Sequence, residues 1–166
     1  SDGSAPNYIG TFGWVIALPN HIRLVRHCGP VYGYKVSSFR AEAYGLLSVL
    51  RFIIRAFEYT GTAFPKVIEL FTDSLSVIQT ISKHLEYQSY YPGTTLDADW
   101  DVLQAIQTSI HQLPSVVKLQ HVKGHQDRKC TTQALSRKAK MNVAMDKTTT
   151  AYWIHLVSNL RKMPQP

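Results

Sequence analysis

The stretch Ile68-Glu69-Leu70-Phe71-Thr72-Asp73-Ser74 constrains the fold of this chain more than any other. It is an apolar run of strand length that stops abruptly at a carboxylate. A helix-period pattern begins at once, with Leu75, Val77, Ile78 and Ile81. A buried strand that enters a helix through a tight turn leaves Asp73 at the carboxyl end of the strand, where open α/β sheets place their ligands. Taken alone, the same carboxylate also reads as an N-cap that accepts from the free N–H groups of the next helical turn.

The remaining elements fall around this one. Residues 12–18 alternate, with Trp14 and Ile16 on one face and Val15 and Ala17 on the other. Pro19-Asn20 is a turn, and residues 21–27 alternate again, which predicts a hairpin broken by Gly29-Pro30 and Gly33. Ser37 or Ser38 can cap a helix over residues 40–59, where Ala43, Leu47, Leu50, Ile54 and Phe57 recur at helical spacing and Gly61 marks the end. The helix after Asp73 fades near His84. A loop with the aromatic run Tyr90-Tyr91-Pro92-Gly93 follows. Asp97 or Asp99 opens a further helix that Pro114 stops, then residues 116–122 alternate as a strand. Residues 123–133 form a polar loop, residues 134–160 a helix broken around Ser136 or Thr148 to Thr150, and residues 161–166 a tail.

The chain opens on Ser1-Asp2-Gly3-Ser4, which reads as a strand end and turn with no strand before it. We therefore expect one domain over residues 1–166, cut from a longer polypeptide, with a strand stub at Asp2. Three early strands can pair antiparallel. The two later ones follow helical crossovers and should join in parallel. The expected architecture is an α/β fold with a mixed five-stranded sheet flanked by helices.

With 166 residues, 45% hydrophobic and 17% charged, the chain can bury a core of ordinary size. No apolar run approaches the ~20 residues that span a bilayer, so no membrane partner is expected. There is no signal-peptide pattern, and Cys28 and Cys130 lack metal-ligand spacing. They read as the reduced thiols of an intracellular protein. The net charge of +7 favours a polyanionic partner such as nucleic acid, and the basic residues are densest in the carboxy-terminal third.

The acids at element ends carry the chemistry. Asp2 closes the first strand, Asp73 closes the Ile68 strand, Glu42 lies early in the long helix, and Asp146 follows Asn142 by one helical turn. If the first strand neighbours the Ile68 strand, Asp2 and Asp73 stand about 5 Å apart. Two carboxylates that close cannot both stay ionised without a cation. Four of them would form an oxygen-only cup suited to Mg²⁺ or Mn²⁺. Each acid has a plainer reading as well: Glu42 as a first-turn residue favoured by the helix dipole, and Asp146 as a solvated helix carboxylate. His125, on a Gly-containing loop, reads as surface, or beside such a cup as a proton shuttle.

Asp2-Gly3-Ser4, Arg40-Ala41-Glu42, Thr72-Asp73-Ser74, Val122-Lys123-Gly124-His125, and Asn142 with Asp146 together resemble type 1 ribonuclease H, in the family's order. The segments 97–101 and 135–142 resemble the ribonuclease H domains of retrotransposon reverse transcriptase polyproteins in particular. The resemblance implies a ribonuclease H-like fold and endonucleolytic cleavage of the RNA strand of RNA–DNA hybrids. It implies Asp2, Glu42, Asp73 and Asp146 as ligands of two Mg²⁺ ions, with Mn²⁺ as substitute, and His125 as an assisting histidine. Gly3, Ser38, Ser74 and Asn142 fall where that family meets nucleic acid. The implied partners are the hybrid and the reverse transcriptase domain of the same polyprotein. Two other functions share the fold: a degenerate domain that binds nucleic acid or scaffolds a polymerase, and a DNA-strand-transfer enzyme.

Overall fold

The computed structural model describes residues 10–18, 22–33, 36–87, 93–124 and 135–160. In chain order these form β1 (Gly10–Ala17), β2 (Arg23–Val31), α1 (Ser38–Thr60), β3 (Val67–Thr72), α2 (Leu75–Glu86), a single 3₁₀ turn (Thr94–Leu96), α3 (Trp100–Gln112), β4 (Val116–His121) and α4 (Arg137–Leu160). The chain divides into two compact units, one of residues 1–41 with 123–166, the other of residues 42–122.

In the first unit β1 and β2 pair antiparallel, from Gly10 opposite Val31 to Ile16 opposite Val25, with a bulge before Ala17 meets Arg23. β2 runs through Gly29 and Pro30, where the sequence predicts a break. The glycine permits this, because a Cβ there would lie 2.8 Å from the Phe12 ring. Proline is tolerated because β2 has no second strand partner among the described residues. α4 covers the hairpin face that bears Gly13, where a Cβ would stand 2.8 Å from the Met145 methyl and against the Thr149 hydroxyl. Leu135, Ala139 and Val143 form its buried patch. Ser136 caps the helix, its hydroxyl accepting from the Ala139 N–H at 3.3 Å. Of the two expected break positions, Ser136 falls just before the helix, while Thr148 to Thr150 lie unbroken within it. Thr148 donates its hydroxyl to the Ala144 carbonyl at 2.8 Å, so the polar side chain is satisfied within the helix.

α1 begins at Ser38. Of the two capping candidates Ser37 serves, accepting from the Arg40 N–H at 3.0 Å. The helix ends where expected: Gly61 takes φ +64° and donates to the Phe57 carbonyl. In the second unit the inward face of α1 (Ala43, Leu46, Leu47, Val49, Leu50 and Ile53) is buried, as are Ile68 and Leu70 of β3, Val77 and Ile81 of α2, and Val102, Leu103 and Ile106 of α3. β3 and β4 pair in parallel, from Val67 opposite Val116 to Thr72 opposite His121, as the helical crossover requires. α3 starts after Asp99, which takes φ +62°, a conformation Asp tolerates better than most residues.

The expected mixed five-stranded sheet is corrected. The described strands form two separate two-stranded ladders, β1–β2 antiparallel and β3–β4 parallel. The strand assigned to join them ends at Asp2, and residues 1–9 lie outside the described residues. The tail at 161–166 and the aromatic run at Tyr90 to Pro92 lie outside them as well. Among the described residues no helix is long and apolar enough to cross a membrane.

Candidate active site

The second unit builds one part of the expected site around the end of β3. Ile68, Leu70 and Thr72 alternate inward, so the last inward position of an otherwise apolar face holds a hydroxyl. A buried hydroxyl needs a partner, and Thr72 finds it across 30 residues. Its Oγ1 donates to Glu42 Oε2 at 3.1 Å and accepts from the Ser74 N–H at 3.2 Å. The first bond fastens an exposed carboxylate on α1 to the strand end. The second shapes the turn that carries Asp73.

Asp73 does not occupy the N-cap position. Ser74 does, and its side chain makes no capping bond to the helix, its hydroxyl lying 3.2 Å from that of Ser76. The parallel ladder holds the turn from the other side. The Val122 N–H donates to the Thr72 carbonyl at 2.9 Å, and His121 Nε2 sits 3.2 Å from the Asp73 carbonyl oxygen. Asp73 itself is half-buried.

In the first unit Asn142 and Asp146 lie one turn apart on α4, both half-buried, and Ser38 is the exposed first residue of α1. Asp2, Gly3 and His125 lie outside the described residues. Among the described residues no group of three or more His, Cys, Asp and Glu side chains is placed to hold a metal ion.

Two residues at the strand end received no role from the sequence. Thr72 had a readable signal, a polar side chain at a period-2 inward position. His121 had none, since its place beside Asp73 follows from the register of the parallel pair.

The fold of the chain is similar to that of two solved foamy-virus structures. The chain superposes on the PFV RNase H domain, whose structure was determined in solution, with a TM-score of 0.56 and 17% identity, covering 88% of this chain and 93% of that one. It superposes on the prototype foamy virus protease-reverse transcriptase with a TM-score of 0.56 and 17% identity, covering 90% of this chain and 21% of that one. This chain thus spans about a fifth of the length of that protease-reverse transcriptase. No family model matches the chain, and no curated protein matches it. The ribonuclease H resemblance of the motifs and the α/β fold of the molecule therefore agree.

Proposed function

We propose that this chain is a metal-dependent endonuclease that hydrolyses the RNA strand of RNA–DNA hybrids, as the single ribonuclease H domain of a retroelement polyprotein that also carries a reverse transcriptase. The bond from Thr72 to Glu42 carries the reading. It fixes a helix-borne carboxylate at the end of the strand that leads into Asp73, and a solvated helix acid needs no such tether.

In this reading Asp2, Glu42, Asp73 and Asp146 hold two Mg²⁺ ions, or Mn²⁺ in their place. The donor set fits: all four are carboxylates, and hard divalent ions prefer oxygen ligands. Bound ions supply Lewis acidity at the scissile phosphate and an activated water. The chain's own residues do the rest. Thr72 orients Glu42, the clamped turn at residues 72–74 presents Asp73, and His125 moves a proton at the leaving oxygen. Gly3, Ser38, Ser74 and Asn142 meet the nucleic-acid backbone. Choice of the RNA strand comes from contacts to 2′-hydroxyls across the minor groove.

The test is Mg²⁺-dependent cleavage of an RNA–DNA hybrid, with Asp73→Asn as control. Cleavage by the wild-type chain, reduced at least about 100-fold by the substitution, is the expected result. Tight hybrid binding without cleavage would instead mark a degenerate scaffold domain. Cleavage of duplex DNA but not of hybrid would mark a strand-transfer enzyme.

A further inference from the structure

The peptide unit that joins Asp73 to Ser74 is held at both of its ends. Its N–H, that of Ser74, donates to Thr72 Oγ1 at 3.2 Å. Its carbonyl, that of Asp73, lies 3.2 Å from His121 Nε2. A carbonyl oxygen only accepts, so the imidazole nitrogen that meets it is the one carrying hydrogen. In a trans peptide the C=O and N–H point in opposite directions from one rigid plane, and bonds to both fix its rotation. The peptide before Asp73 is held as well, because the Thr72 carbonyl accepts from the Val122 N–H at 2.9 Å. With both flanking planes fixed, φ and ψ of Asp73 are fixed too, and so is the direction in which its carboxylate leaves the backbone.

Of these holds, His121 supplies the one that the strands cannot. β3 ends at Thr72, opposite His121, so the next carbonyl lies past the main-chain ladder. The imidazole at the last position of β4 takes over there. His121 is exposed and stands outside the buried core, so packing does not account for its side chain. The held peptide also leads to a second acid. The Thr72 hydroxyl that accepts from the Ser74 N–H donates to Glu42 Oε2 at 3.1 Å. A continuous relay therefore runs from His121 through the peptide between residues 73 and 74 and through Thr72 to Glu42.

We propose that His121 is a positioning residue for the pair Asp73 and Glu42, acting through the peptide between residues 73 and 74. In this role it neither ligates an ion nor moves a proton. That the two acids hold divalent ions rests on the nuclease reading. That His121 fixes the peptide rests on geometry alone.

The experiment compares the wild-type chain with His121→Leu, which keeps bulk and removes the donor, and His121→Gln, whose amide nitrogen can stand near the Nε2 position. Substitutions at exposed positions leave folding nearly unchanged, which melting curves verify. The first readout is hydrogen exchange of the Ser74 amide, followed by NMR in the metal-free chain. Exchange should quicken by about 2–10-fold in His121→Leu and return toward wild type in His121→Gln. The second is Mn²⁺ binding, followed by the electron paramagnetic resonance of the free ion. It should weaken by about 10-fold in His121→Leu, the low end of what partners of a ligand govern, and recover in His121→Gln. Hybrid cleavage by His121→Leu should need correspondingly more Mg²⁺ yet approach the wild-type rate at saturation. Wild-type Ser74 exchange in His121→Leu would overturn the proposal. So would a His121→Gln protein no better than His121→Leu, since the donor would then be irrelevant. Absence of hybrid cleavage by the wild-type chain counts against the nuclease reading alone, because Ser74 exchange is read without metal or substrate.

Discussion

Replacing Thr72 by Val keeps the shape of the side chain and removes its hydroxyl. Thr72 is 6% exposed, so water cannot take the hydroxyl's place on the inward side. The substitution removes two bonds, to Glu42 Oε2 at 3.1 Å and from the Ser74 N–H at 3.2 Å. A hydrogen bond to a charged group contributes ~1.5–3 kcal/mol, and the exposure of Glu42 puts this one at or below the low end. The neutral bond adds ~0.5–1.5 kcal/mol, so the substitution should cost about 2 kcal/mol. For a domain of this size that lowers Tm by about 4–8 °C. The larger effect should be on chemistry. Groups that orient a ligand typically govern activity or metal affinity by ~10–100-fold. Thr72→Val should therefore need more Mg²⁺ for half-maximal hybrid cleavage, while Thr72→Ser, which restores the hydroxyl, should recover most of the loss. Thermal melts and Mg²⁺ titrations of the cleavage rate measure both. A Thr72→Val protein with wild-type Tm and wild-type Mg²⁺ dependence would refute the tether.

Three further outcomes are expected. Gly33 adopts φ +151°, and the Arg40 side chain, whose Nε donates to the Tyr32 carbonyl at 2.8 Å, lies 2.5 Å from where a Cβ would stand. Gly33→Ala should cost about 2 kcal/mol and lower Tm by about 4–8 °C. It should exceed Gly61→Ala, where φ is +64° but nothing lies within 4 Å; equal melting temperatures for the two would contradict the steric argument. Burial raises the Cys28 thiol above its ordinary 9.0, against the lowering effects of a hydrogen bond with Thr149 and of nearby Arg26. The folded chain then holds that proton more tightly than the unfolded chain. The resulting stabilisation is full below pH 9.0 and is lost as pH rises through the folded value. Denaturant titrations should show Cys28→Ser flattening this alkaline limb, and a limb of unchanged steepness would count against it. His125→Ala should slow turnover by less than Asp73→Asn does in the same hybrid-cleavage assay. Complete loss would assign the histidine a different role.

The fold was legible where local physics decides. The parallel pair could be read because an apolar run, a carboxylate and a helical period meet at Asp73, and the end of α1 because Gly61 follows the last apolar turn. β2 outruns its expected end because Gly29 and Pro30 act locally as breakers, while the packing of Phe12 over Gly29 is a tertiary contact that no local pattern carries. The continuity of α4 through three threonines was hidden for a related reason: the Thr148 hydroxyl bonds back within the helix, which sequence allows but does not require. At the end of β3, Glu42 and the Thr72-Asp73-Ser74 turn could be picked out as residue types. The bond that joins Thr72 to Glu42 spans 30 residues and the His121 approach to Asp73 spans 48, and only the folded chain supplies either.

The most direct test of the four-carboxylate site is an anomalous difference map from crystals of the chain soaked in Mn²⁺, with Asp73→Asn crystals treated alike. The expected result is two manganese peaks bounded by Asp2, Glu42, Asp73 and Asp146, weakened or lost in the variant. Manganese bound elsewhere, or nowhere, with these side chains ordered and unligated, would contradict the site.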